Sequence, residues 1–332
     1  MPIIAQSSYK RPFYLFSKHL ETIIPSVFRK IHGIQYHRER IDTEDGDFLD
    51  LDWLKGGNSQ LAIISHGLEG SSERHYVKGM AKTYHQNGWD VLAWNCRTCS
   101  GEINRTARFY HHGATDDLKA VIDHAVLPDN YQNVVLVGCS MGGSLILKYL
   151  GENQVLPKAL LCATVFSVPC NLKSSAMALE KAENRFYKRR FLKKLEKKVK
   201  AKAEIMPGVV KYDGFDDIKN FTDFDNKYTA PLHGFLDAED FYKNASAENY
   251  LSKINLPTLL VNAKNDPFLP AACYPVEIAR NHDSIYLEMP EHGGHVGFSL
   301  RGEEFNWAEK RSWSFVNEIL SKSRSNDNIE PA

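Results

Sequence analysis

The sequence predicts an α/β fold with a predominantly parallel central sheet flanked by helices and an inserted helical cap. Short apolar runs rich in β-formers alternate with helical patterns, as in sheets covered on both faces. The stretch VVLVGCSMGGSLILKYL, beginning at Val134, passes from strand to helix through a glycine-rich turn. From Asn171 to about Asn249 the strand pattern disappears and charged helix formers replace it, which indicates an insertion.

Six apolar runs are the predicted strands of the parallel sheet. They begin at Leu61, Asp90, Asn133, Ala159, Thr258 and Ser284. Ahead of them, RERIDTEDGDFLDLDWL alternates about Asp45-Gly46, which is typical of an antiparallel hairpin. Helices are predicted over 76–86, 116–126 and 141–150, the first ended by Asn87-Gly88.

The chain is interpreted as a single domain over residues 1–332. It comprises an N-terminal arm (about 1–35), a core (about 36–170 and 250–322) and the cap (about 171–249). Within the cap, Leu192, Leu195 and Val199 lie three and four residues apart, which predicts a helix with one apolar seam and a basic outer face.

Composition excludes several classes of protein. The chain has 41 basic and 41 acidic residues and is 43% hydrophobic, which is typical of a globular protein without global attraction to nucleic acid. No apolar run is long enough to cross a bilayer, and the first thirty residues lack the pattern of a signal peptide. The six cysteines are interpreted as reduced, mostly buried thiols, so the predicted location is the cytoplasm.

Ser140 is the candidate nucleophile. It lies between Gly138 and Gly142 in G-x-S-x-G, the sequence of a sharp strand-to-helix turn that exposes a serine hydroxyl. Such a hydroxyl needs a histidine as base and a carboxylate that orients the histidine. Asp266 and His295 follow two later strands in the order that this chemistry uses.

Three other residues compete for these roles. His292 shares the last loop with His295, but the glycines around His295 favour the latter. Asp237 and Asp240 are alternative acids that fall within the predicted cap. The sequence therefore favours Ser140, Asp266 and His295 as the catalytic triad.

An oxyanion needs two backbone N–H donors. One is expected from Met141, which follows the nucleophile, and the other from Leu68, after the strand that ends in His66-Gly67.

Motifs along the whole chain resemble the YheT-like branch of the α/β-hydrolases. They are HLETIIPSV at 19, DGDFLDLDW at 45, HGLEGSS at 66, RTCSGEINR at 97, YHHGATDDL at 110, GCSMGGS at 138, YTAPLHGFLDAEDFY at 228 and EHGGHVGF at 291. The resemblance implies an α/β-hydrolase fold, an esterase or lipase activity, and a triad at Ser140, Asp266 and His295. Glu21 and Thr98 depart from the family pattern, which usually has glutamine and glycine there.

Three further patterns have a structural interpretation that we favour over a functional one. Cys96 and Cys99 form C-x-x-C without a second pair that would complete a zinc site. His112 and Asp117 have a spacing found in some acyltransferases, yet Thr115 is a plausible helix cap there. The basic stretch 188–200 is interpreted as a solvated cap surface, although peripheral membrane contact remains open.

The predicted function is hydrolysis of carboxylic esters, with short- to medium-chain acyl groups or lipid esters as substrates. No cofactor, metal or nucleic-acid partner is expected, and the oligomeric state is left open. Three alternatives stay open at this stage: an acyltransferase that uses the same triad, a hydrolase of C–C or amide bonds with the same serine turn, and a non-catalytic ligand-binding protein on the same scaffold.

Overall fold

A mixed, mostly parallel sheet forms the centre of the computed structural model, which describes residues 3–127, 130–152 and 155–327. Its nine strands within those ranges are β1 (Ile3–Ile4), β2 (His37–Asp42), β3 (Phe48–Leu54), β4 (Gln60–Ser65), β5 (Asp90–Asn95), β6 (Asn133–Cys139), β7 (Leu160–Phe166), β8 (Thr258–Val261) and β9 (Ile285–Glu288). Residues 1–2 of the predicted arm and 328–332 of the predicted domain lie outside the described residues.

The strand order across the sheet is β1, β9, β8, β7, β6, β4, β5, β3, β2. Strands β4 to β9 pair in parallel, and all six correspond to predicted apolar runs. The hairpin of β2 and β3 is antiparallel, as predicted, and β3 also pairs antiparallel with β5. Strand β1, which the sequence analysis missed, pairs parallel with β9 over two residues, too few for any alternating pattern.

Helices in the described ranges are α1 (Lys18–Phe28), α2 (His75–Gln86), α3 (Thr115–Val126), α4 (Met141–Glu152), α5 (Leu172–Leu179), α6 (Arg185–Ile205), α7 (Phe221–Phe224), α8 (Ala230–Leu232), α9 (Ala238–Ala245), α10 (Val276–Arg280) and α11 (Trp307–Asp327). The three predicted helices are confirmed to within two residues as α2, α3 and α4. Thr115 is the first residue of α3 and not its cap, because Ala114 takes the cap position without a side-chain hydrogen bond.

Both faces of the sheet are buried. Alternate residues of β4 enter different apolar cores, with Leu61 and Ile63 on one face and Ala62 and Ile64 on the other. Because each strand is apolar on both sides, its sequence is a continuous apolar run rather than an alternating one.

The segment 171–249 contains helices α5 to α9 and two further apolar clusters. Leu195 and Val199 of α6 are buried, as the predicted seam requires, and Lys193 is exposed. Lys202, two residues beyond the basic stretch 188–200, is fully buried. Its ammonium donates to the backbone oxygens of Asn104 (2.8 Å) and Thr106 (2.6 Å), and this fixes α6 to the loop after β5.

Arg97 lies in the loop after β5 and connects this loop to the β2–β3 turn and to α3. Its guanidinium pairs with Asp45 (2.8 Å) and Asp47 (2.9 Å) of the β2–β3 turn and with Asp117 (2.7 Å) of α3. Arg97 and Asp47 are almost completely buried, so each charge depends on the other for compensation. The following residue, Thr98, has φ +64, a conformation that glycine adopts without strain and that a β-branched residue rarely takes.

We predict that Arg97→Ala lowers the free energy of unfolding by about 3–5 kcal/mol, because it leaves buried carboxylates unpaired. The matched control is Arg105→Ala, which breaks an exposed ion pair with Asp42 and should cost less than about 1 kcal/mol. Urea unfolding followed by circular dichroism measures both. Equal losses in the two variants would contradict the role assigned to Arg97.

Candidate active site

Ser140 occupies a sharp turn between β6 and α4. Its backbone is left-handed, with φ +55, a strained conformation for a serine. A Cβ on Gly142 would lie 2.2 Å from the backbone oxygen of Ser65, and one on Gly138 would lie 2.7 Å from that of Gly142. Both glycines are therefore required by close backbone approach, which explains their positions on either side of the serine.

The structure brings Ser140, Asp266 and His295 together from three loops that follow different strands. The Nε2 atom of His295 lies 3.0 Å from Ser140 Oγ, and its Nδ1 atom lies 2.8 Å from Asp266 Oδ2. The second carboxylate oxygen of Asp266 accepts the N–H of Phe268 at 2.9 Å, and the Phe268 ring packs on the imidazole. The carboxylate is buried and its orientation is fixed from both sides.

The competing residues lie elsewhere. The side chain of His292 is 42% exposed and lies near Glu21 and Asn265 instead of the serine. Asp237 caps α9 by accepting the N–H of Asp240, and Asp240 in turn accepts the N–H of Leu236. Their hydrogen bonds are those of helix termini.

The loop that carries His295 is held by residues far away in the sequence. Thr22 of α1 accepts the N–H of His295 at 2.9 Å, and Ser167, after β7, accepts the N–H of Val296 at 2.9 Å. Glu21, fully buried, accepts the N–H of Gly293 and the side-chain amide of Asn265. Helix α1 therefore forms the support of this loop, a role that local sequence patterns did not reveal.

The sequence predicts the oxyanion donors at Leu68 and at Met141, which directly follows Ser140. Leu68 borders the two cavities that meet at the serine, and Met141 is the first residue of α4. Their backbone N–H groups are paired with no acceptor in the described part of the chain. A Cβ on Gly67 would lie 3.0 Å from that of Ser140, a tight contact that glycine avoids.

His66 stabilises the same loop through two hydrogen bonds. Its Nε2 accepts the N–H of Cys96 at 3.1 Å, which leaves Nδ1 to donate to the Gly67 oxygen at 2.8 Å. Burial lowers the pKa of His66 to about 4, so the ring is neutral and keeps this donor–acceptor pattern at physiological pH.

Glu69, next to Leu68, connects the loop to the segment 171–249. Its backbone is left-handed at φ +55, and its carboxylate pairs with Lys198 of α6 at 2.8 Å and accepts the Tyr110 hydroxyl at 2.5 Å. The same ammonium lies 3.1 Å from Cys99 Sγ, and Lys194 donates to the Glu69 backbone oxygen at 2.9 Å. Sequence reasoning did not find this network, because its partners lie far apart in the sequence.

Two cavities meet at Ser140 and share Leu68, Phe191, Phe268 and His295 as walls. The first, the apolar cavity, comprises about 830 Å³ of space including its opening to solvent, and is lined mainly by 171–249, including Leu172, Phe221, Phe224 and Phe241. The second, the basic cavity, comprises about 820 Å³ including its opening, which lies between α1 and α6, and has Arg74, Arg190 and Lys194 in its walls.

A carboxylate lies in the wall of the apolar cavity. Asp225 accepts the hydroxyls of Thr229 (2.6 Å) and Tyr242 (2.8 Å), and burial raises its pKa to about 6. It lies in a π-helical turn, Asp225–Thr229, a geometry that sequence patterns do not reveal.

The other patterns from the sequence have structural partners. Asp117 pairs with Arg97 and not with His112, and the His111 ring packs against His233. The six cysteines, all within the described ranges, are free thiols, and Cys99 is the one that is only half-buried. Within those ranges no group of three or more His, Cys, Asp or Glu residues could hold a metal ion.

Comparisons with known proteins agree with this architecture. A family model described as "alpha/beta hydrolase fold" matches residues 63–301. The Escherichia coli protein named "Putative esterase YheT" is 32% identical over 287 residues, which are 84% of this chain and 84% of that protein. The protein "Phospholipase ABHD3" of Mus musculus is 29% identical over 308 residues, covering 90% of this chain and 74% of that one.

Solved structures of esterases share the fold. The Pyrococcus furiosus esterase Pf2001 matches with a TM-score of 0.57 at 16% identity, over 88% of this chain and 96% of that one. Est1E from Butyrivibrio proteoclasticus matches with a TM-score of 0.54 at 15% identity, over 86% and 99%. None of the described helices is both long and apolar enough to span a bilayer. The family model and the similarity to YheT together show that this chain belongs to the α/β-hydrolase fold family, in its YheT-like branch.

Proposed function

We propose that the protein is a serine hydrolase that cleaves carboxylic esters through an acyl-enzyme. The observation that carries the proposal is the continuous chain of contacts from Asp266 through His295 to Ser140, with separations of 2.8 and 3.0 Å. Relatives named as an esterase and a phospholipase support hydrolysis as the class of reaction.

In the proposed mechanism, Ser140 Oγ attacks the ester carbonyl while His295 Nε2 accepts its proton. Asp266 holds the imidazole in the tautomer that leaves Nε2 free to accept, and it stabilises the imidazolium that forms. The imidazolium then gives its proton to the leaving alkoxide. Water, activated by the same histidine, cleaves the acyl-enzyme and releases the acid.

The oxyanion of each tetrahedral intermediate is assigned to the N–H groups of Leu68 and Met141. Met141 directly follows the serine, Leu68 borders the cavities that meet there, and neither N–H donates to another group within the described residues. Donors fixed before the reaction stabilise developing charge without reorganisation, and this is usually the largest single contribution to such catalysis. The hydrogen bonds of His66 and Glu69 are proposed to keep this loop in position.

Residues 171–249 are proposed to act as the substrate cap on the single domain, and the apolar cavity is proposed to hold the acyl chain. Phe221, Phe224 and Phe241 supply much of its wall, and they all belong to this segment. Binding of an acyl chain there would remove its methylene groups from water, which favours chains long enough to fill the cavity.

The triad assignment predicts the behaviour of three variants. Ser140→Ala and His295→Ala should lower kcat for p-nitrophenyl ester hydrolysis by about four to six orders of magnitude. Asp266→Asn should lower it by about four orders, because the amide favours the wrong imidazole tautomer. Thermal unfolding of each variant is the control for intact folding. Near-normal rates in a folded Asp266→Asn or His295→Ala protein would refute the assignment.

A p-nitrophenyl ester series from acetate to palmitate measures the length of acyl chain that the site accepts. We expect kcat/KM to rise about fourfold per added methylene, equivalent to about 0.8 kcal/mol, until the cavity is full and then to fall. If Ser140-dependent activity is absent across the series, added alcohol acceptors separate an acyltransferase from a non-catalytic binding protein, and either result would overturn ester hydrolysis.

Thr22 is predicted to be a positioning residue for His295. Thr22→Val removes the oxygen that accepts the His295 N–H while it preserves the shape of the side chain, and kcat should fall about tenfold for the loss of about 1.4 kcal/mol. Thr22→Ser restores the acceptor and should recover most of the rate. If Thr22 served packing alone, the order of kcat would be reversed, and Thr22→Val would be close to the wild type.

A further inference from the structure

The basic cavity has an excess of positive charge beside the nucleophile. Arg74 and Lys194 are half-buried in its walls and Arg190 is exposed at its opening. Within the described residues, none of these three side chains forms an ion pair with a carboxylate. Arg74 donates to the Ser26 hydroxyl at 3.2 Å, and Lys194 donates to a backbone oxygen.

The other ionisable groups in the walls do not cancel this charge. Glu69 is the acidic residue among them, and its carboxylate already pairs with Lys198 at 2.8 Å. Burial lowers the pKa of His75 to about 3, so that ring is neutral. Burial also lowers the pKa of Lys194; the Glu69 carboxylate opposes this shift, while the nearby Arg74 and Arg190 add to it. Crowded cations of this kind are stabilised when an anion binds between them.

The two cavities, which meet at Ser140, therefore have charged groups of opposite sign in their walls. The apolar cavity contains the Asp225 carboxylate, which disfavours an anion, whereas the basic cavity attracts one. An ester that reaches across the serine has its acyl chain on one side and its alcohol on the other. The sign of each cavity then determines the direction in which an anionic ester binds.

We propose that the basic cavity is a subsite for an anionic group on the alcohol portion of the ester, with phosphate monoesters of small alcohols as the ligand class. The proposal rests on the ester hydrolysis proposed above and assigns its leaving group. Arg74, Arg190 and Lys194 bind the phosphate oxygens, while the acyl chain enters the apolar cavity.

The reaction then proceeds with the same bonds as for a neutral ester. The bond from Ser140 Oγ to the acyl carbon forms, the bond from that carbon to the alcohol oxygen breaks, and the alkoxide takes the proton held on His295. The products after hydrolysis are a free fatty acid and an alcohol phosphate. Phosphate chemistry is not involved, since the phosphate group serves for binding alone.

Three esters with the same acyl chain test the subsite: 1-octanoylglycerol, its 3-phosphate and its 3-phosphocholine, each below its critical micelle concentration. Without micelles, attraction to a lipid surface does not contribute. We expect kcat/KM for the phosphate to exceed that for the neutral ester about tenfold or more, because charge-assisted hydrogen bonds to phosphate are strong. The phosphocholine ester, which has no net charge, should gain less.

Arg190→Glu and Arg189→Glu form a matched pair of variants. Both arginines are exposed neighbours on α6, but Arg190 borders the basic cavity while Arg189 lies on the outer basic surface. Arg190→Glu should abolish the preference for the phosphate ester, and Arg189→Glu should keep it.

The outcomes separate this inference from the function on which it depends. Equal rates for phosphate and neutral esters, an equal loss in both arginine variants, or cleavage of p-nitrophenyl esters without cleavage of any glycerol ester would each overturn the subsite. All three leave serine-dependent ester hydrolysis in place. Failure of the p-nitrophenyl series, in contrast, removes the proposed function itself.

Discussion

The close approach of α4 to the end of β4 is the constraint on which the site depends. The backbone of Gly142 lies so near the Ser65 carbonyl that a single methyl group would overlap it. The chain turns from β6 into α4 beside this contact, and Ser140 has a left-handed backbone there. A side chain in that position points away from the sheet, and the cavities, the histidine loop and the Gly67 loop are all arranged around it.

Ser140 and several residues around it have strained backbone conformations. Glu69, Ser167 and Val296 also have left-handed backbones, and each lies in a loop that contacts the site. Such conformations persist where neighbouring contacts over-determine them. Here the Lys198 ion pair holds Glu69, and a hydrogen bond between Ser167 and the Val296 N–H holds the other two. The site is therefore stiff at the loops that carry its polar groups.

Much of the fold was predictable because its signals are local. Buried parallel strands are apolar throughout, and the nucleophile turn requires two glycines at fixed spacing, so β4 to β9 and Ser140 could be identified from neighbouring residues. Asp266 and His295 followed from their order after strands. In the structure His295 lies 2.8 Å from Asp266 and 3.0 Å from Ser140.

What the sequence did not reveal depends on long-range contacts. Thr22 contacts His295 across 273 positions, and the motif HLETIIPSV that contains Thr22 does not indicate this contact. Lys202 resembles its exposed neighbours on α6, yet it is buried because it reaches the Asn104 carbonyl. A hydrophobic repeat predicts which face of a helix is buried. The contacts of Thr22 and Lys202 depend instead on the surfaces that pack against their helices.

The ion pair between Glu69 and Lys198 joins the segment 171–249 to the loop beside the serine. If α6 moved outward to admit a bulky ester, the Glu69 carboxylate would lose its ion pair with Lys198. The loop that carries the adjacent Leu68 would then lose a stabilising contact. The wall of the apolar cavity and the loop that carries Leu68 would then be disrupted together. One ion pair therefore links the position of α6, which supplies Phe191 and Leu195 to that cavity, to the loop beside the serine.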